Sequence, residues 1–70
     1  MKKVIIRKRI DLKYLPSYKW ESLGFHEDSA QWFSNCHKTK QAAIESVERL
    51  KKPFPIGNKA VAIEFETVFE

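Results

Sequence analysis

The stretch TKQAAIESVERLKKP, Thr39 to Pro53, decides how the rest of this chain is read. Threonine caps helices because its side-chain oxygen accepts a backbone N–H that has no partner inside the first turn. Behind Thr39, the residues Ala42, Ala43, Ile44, Val47 and Leu50 recur at helical spacing and make one apolar stripe. Glu45 stands four before Arg49 and Glu48 four before Lys52, the favourable order for exposed helix pairs. Lys51 and Lys52 suit the negative C-terminal end, and Pro53 stops the element. A helix apolar on one side needs a surface to cover, so the flanks should supply a sheet.

They read that way. Val4, Ile6, Ile10 and Leu12 alternate with Lys3, Arg7, Arg9 and Asp11, which predicts a half-buried first strand that ends at Leu15-Pro16-Ser17. Lys8 falls on the apolar side, so a bulge or an edge position is expected there. Tyr18 to Phe25 supports a strand or a short helix capped by Ser17 and Gly24, with the aromatics favouring a strand. The polar run His26-Glu27-Asp28-Ser29 is a turn, and Ala30 to Cys36 is a further strand. After the helix, Pro55-Ile56-Gly57-Asn58 reads as a loop. Val61, Ile63, Phe65, Thr67 and Phe69 then alternate with Ala62, Glu64, Glu66 and Glu70 as one last strand. The expected fold is α+β in the order β-β-β-α-β: a small antiparallel sheet of three to four strands with the helix on one face. Val61, Ile63, Phe65, Ala43, Val47 and Leu50 are its expected core. The terminal Phe69 leaves an apolar edge through which a homodimer could pair.

Seventy residues make a single domain with a small core. One cysteine excludes an internal disulfide, and the apolar run at Val4-Ile5-Ile6 breaks at Arg7-Lys8-Arg9, too early for a signal or membrane segment. The expectation is a soluble protein of the cytoplasm with no membrane partner. The net charge is +4, but its distribution says more. Residues 1–19 hold seven basic side chains against Asp11 alone, whereas residues 60–70 hold Glu64, Glu66 and Glu70 with no base. Such polarity points to an anionic partner or to pairing between the two segments.

Cys36 beside His37 raises the question of a metal or thiol site. Neighbouring strand residues face opposite ways, so these two cannot share a metal, and no recognised ligand spacing completes a tetrahedral set. Cys36 is expected to be a small core residue, and His37-Lys38-Thr39-Lys40 the basic entry to the helix. Two glycines cannot form a phosphate-cradling loop, and no serine sits in an elbow motif. Neither metal nor other cofactor is expected, and the chain reads as a binding protein and not an enzyme.

Basic residues interleaved with aromatics are the functional signal. Lys3, Arg7 and Arg9 on the first strand, with Lys19 and Trp20 nearby, suit phosphates and base stacking. The expected partner is nucleic acid or a nucleic-acid-binding protein complex. With Trp20, then Thr39, Lys40 and Ala43 at the helix start, the layout resembles the sheet-plus-helix DNA-binding modules of the AP2 and integrase arm-binding kind. Those families carry an aromatic two residues before the capping threonine, where this chain has His37. In size and style the chain is also similar to phage-encoded inhibitors, anti-CRISPR proteins among them. The alternative reading is therefore an interaction protein that blocks a protein or nucleoprotein complex.

Overall fold

The computed structural model describes residues 2–70 and has α+β architecture. Strands β1 (Lys3–Lys8), β2 (Trp20–Phe25) and β3 (Gln31–His37) lead into helix α1 (Lys40–Leu50). Strands β4 (Phe54–Ile56), β5 (Lys59–Val61) and β6 (Glu66–Phe69) follow. The main sheet has the order β3-β2-β1-β6, with α1 on one face, and β4 and β5 form a separate two-stranded sheet.

The first three strands pair antiparallel, Lys8 opposite Trp20 and Trp20 opposite His37, but β6 runs parallel to β1. The sheet is therefore mixed. The reason is directional: β3 runs the same way as β1, and α1 returns the chain to the starting end. A strand laid beside β1 after that return must be parallel to it.

Thr39 caps α1 as its chemistry requires: its backbone is extended and its Oγ1 accepts the Ala42 N–H at 3.1 Å. Ala43 and Val47 from the apolar stripe pack on Val4 and Ile6, and these four are the buried centre of the core. Trp20, Trp32, Phe33, Ile44 and Phe65 close around them, half-buried. A bulge in the β2–β3 ladder, between Gly24 and Phe25, allows the Trp32 indole to lie over Gly24. Lys8, by contrast, pairs regularly. On the helix-free face Ile5 sits between Leu23 and Val68, and Ile5 and Leu23 are buried there.

Several sequence expectations need correction. β1 ends at Lys8, so Ile10 and Leu12 lie in an irregular segment and are exposed, Ile10 at 93%. The stretch expected as one last strand divides into β5 and β6 with residues 62–65 in neither. Pro55-Ile56-Gly57-Asn58 lies at a hairpin, with Gly57 in the left-handed region (φ 62°) that its turn requires. Val61 belongs to that hairpin and is exposed, while Leu50, Ile63 and Phe65 are half-buried. Cys36 is half-buried opposite Glu21 on the helix-free face, not in the core.

Candidate binding surface

The pairing register collects one set of residues at a single end of the sheet. Lys8 ends β1, Trp20 begins β2, His37 ends β3, and Phe69 ends β6 beside Ile6. The segment 9–19 and the start of α1 belong to this same end. Here the Lys8 ammonium lies 5.7 Å from the centre of the Trp20 ring, and the Lys40 ammonium lies 5.9 Å from it. Lys40 also stands 5.5 Å from the Phe69 ring, and Lys38 stands 5.5 Å from the Tyr18 ring. Cations at this distance are attracted to the negative face of each ring.

None of Lys8, Lys13, Lys19, Lys38 and Lys40 makes an ion pair among the described residues. Lys40 is also the first residue of α1, where the helix dipole is positive and no acid occupies the first turn. Lysines are unfavourably placed for their own helix there. An incoming anion reverses that sign.

The arginines read from sequence are already engaged. The Arg7 Nε donates to Glu21 Oε1 at 2.7 Å, and its Nη1 lies 4.0 Å from Glu70 Oε1. Part of the expected pairing between the basic and acidic segments is therefore present. Arg9 holds a loop: Nη1 donates to the carbonyls of Leu15 and Tyr18, both at 2.8 Å, and Nη2 to that of Tyr14 at 2.6 Å. Leu15 takes a left-handed backbone (φ 51°), a conformation unfavourable for its branched side chain, and this clamp supports it. With the carbonyls turned inward, Ile10, Leu12, Tyr14 and Leu15 stay exposed, Tyr14 at 77%.

Lys3 and Arg7 share the helix-free face, whereas Trp20 shares the opposite face with Lys8. The sequence-derived set is therefore divided: Lys19 and Trp20 sit at the lysine-rich end, Lys3 at the far end of β1, and Arg7 and Arg9 in internal contacts. Sequence reading missed Lys8, Lys38 and Lys40 as members of one surface. The signal available for them was the run Lys38-Thr39-Lys40 at a capped helix start.

Cys36 and His37 do face opposite ways on β3, opposite Glu21 and Trp20 respectively. His37 Nε2 lies 2.9 Å from Ser22 Oγ, and both side chains are buried. Desolvation holds the His37 pKa below the ordinary histidine value of 6.5. The bond satisfies two polar groups that the fold takes out of water. No group of three or more potential metal ligands occurs among the described residues. No helix among them is long and apolar enough to cross a membrane.

Compared with family models, with curated proteins and with solved structures, the chain shows no match. The surface must be judged on its own chemistry.

Proposed function

We propose that this protein binds nucleic acid at its lysine-rich end. Lys8, Lys19, Lys38 and Lys40 meet phosphates, and Tyr18 and Trp20 supply aromatic faces. One observation carries this reading: three lysines gathered over Trp20, Tyr18 and Phe69, with no ion pair to any of them among the described residues. Cations beside flat apolar rings suit a ligand that alternates anionic phosphate with a stacking base.

A salt titration of oligonucleotide binding tests it. Changing Lys38 and Lys40 together to alanine should weaken binding on all sequences and flatten the salt slope by about 1.4–1.8. Arg7→Ala should leave the slope nearly unchanged, because that guanidinium is already neutralised by Glu21 and Glu70. Absence of binding at low salt overturns the reading.

A second reading has an observation of its own. The Arg9-clamped loop displays Ile10, Leu12, Tyr14 and Leu15 in a fixed conformation, which suits docking on an apolar, acidic protein surface. Such a protein would act as an inhibitor of the anti-CRISPR kind, blocking a protein or nucleoprotein complex. Under it, Ile10→Asp would abolish inhibition while the lysine changes altered association rate and salt dependence.

A further inference from the structure

The β4–β5 hairpin is an arm without a body. Its backbone stands apart from the main sheet and from α1: no Cα of its two strands comes within 8 Å of a Cα in either. The molecule is accordingly long, 43 × 25 × 18 Å, with a radius of gyration of 13.2 Å. A compact chain of this length would have about 11 Å. The arm exposes Phe54, Ile56 and Val61, Ile56 at 56%. A two-stranded hairpin of three-residue strands is marginal in water by itself, so a partner that covers these side chains would stabilise it.

At the base of the arm lies an open groove of about 960 Å³ formed by Val61, Ala62, Ile63 and Phe65, with Lys2, Glu27, Glu64 and Glu66 also lining it. Arm and groove complement one another. One presents apolar side chains and the cation Lys59; the other presents apolar side chains and the acids Glu27, Glu64 and Glu66, which outnumber its cation Lys2. The arm cannot serve its own groove, because the two meet at Val61 and the tip stands roughly 10 Å away along a paired ladder. A second copy can.

We propose that two chains associate about a two-fold axis, each laying its β4–β5 arm into the groove of the other, with Lys59 of one facing Glu64 of its partner. The exchange is self-complementary and closes at two copies. It is favoured over self-pairing of the β6 edge, the contact expected from sequence. A β6 pairing centred on Val68 keeps its faces in register only by setting Glu66 against Glu70 of the other copy, and like charges opposed across a ladder are unfavourable.

Sedimentation velocity from about 1 μM to about 1 mM tests the proposal, a range suited to the small apolar area of one arm. The wild-type chain should pass from monomer to dimer across it. Ile56→Asp, in an arm whose backbone stands apart from the main sheet and α1, should stay monomeric with an unchanged circular dichroism spectrum of the main fold. Lys59→Glu should weaken the dimer roughly tenfold, and adding Glu64→Lys should restore it by exchanging the signs of the facing pair. A wild-type chain monomeric throughout, or an Ile56→Asp chain that dimerises normally, overturns the proposal. So does a dimer lost on Val68→Lys but kept in Ile56→Asp, which would place the contact at β6. None of these readouts involves nucleic acid.

Discussion

Gly24 is the residue on which the core geometry turns. A Cβ built there would stand 2.6 Å from Trp32 Cε2, closer than real Cβ contacts come. The indole also meets the rings of Phe33 and Phe65, 5.5 and 6.4 Å away between centroids, and these neighbours restrict its movement. Gly24→Ala should therefore cost about 1–3 kcal/mol through overpacking, read as a lower denaturation midpoint with altered tryptophan emission. His37 makes a second residue-scale prediction. Its folded pKa is depressed, so the unfolded chain takes up the proton first as pH falls. Its contribution is complete above pH 6.5, the ordinary histidine value, and is lost as pH falls through the lower folded value. Denaturation midpoints measured at neutral and at mildly acid pH should fall together with pH in the native protein, and less steeply in His37→Gln. Arg9 shows how much a single side chain can hide: nothing in the alternation of Ile10 and Leu12 indicates that a guanidinium folds the chain back.

At the scale of elements, what was legible is what is local. The helix carries its own cap, stripe and stop within Thr39 to Pro53, and it forms at Lys40–Leu50. The turn at His26–Ser29 is equally self-contained; the His26 N–H donates to the Ala30 carbonyl at 2.9 Å. Alternation, by contrast, reports extended backbone but not the ladder it joins. Between Lys59 and Phe69 the chain finds two different partners, β4 and then β1, and residues 62–65 fall between the ladders. The site suffered for the same reason. Which residues share a face with Trp20 depends on register, and register is a property of two strands. The corrected core has a direct consequence. Ile6→Ala, which empties a site 1% exposed between sheet and helix, should cost about 2–5 kcal/mol. Val61→Ala, at an exposed arm position once expected in the core, should shift stability by no more than about 0.5 kcal/mol in a dilute sample. Equal losses at both positions would contradict the division of the last strand.

The whole molecule is polar from end to end. One end gathers Lys8, Lys38 and Lys40 on aromatic faces; the other carries the arm and a groove lined in part by Glu64 and Glu66. The uneven charge of the sequence therefore resolves into two surfaces, with Arg7, Glu21 and Glu70 neutralised between them. The central claim is that the lysine-rich end is the nucleic-acid surface. Backbone amide NMR of the labelled chain, titrated with a short single-stranded oligonucleotide at low salt, tests it most directly. Shifts are expected at Lys8, Tyr18, Trp20 with its indole N–H, and Lys38 to Lys40, with Lys3, Arg7 and the β4–β5 arm unmoved. Shifts confined to the Lys3–Arg7 face or to the arm, or none at all, would contradict it.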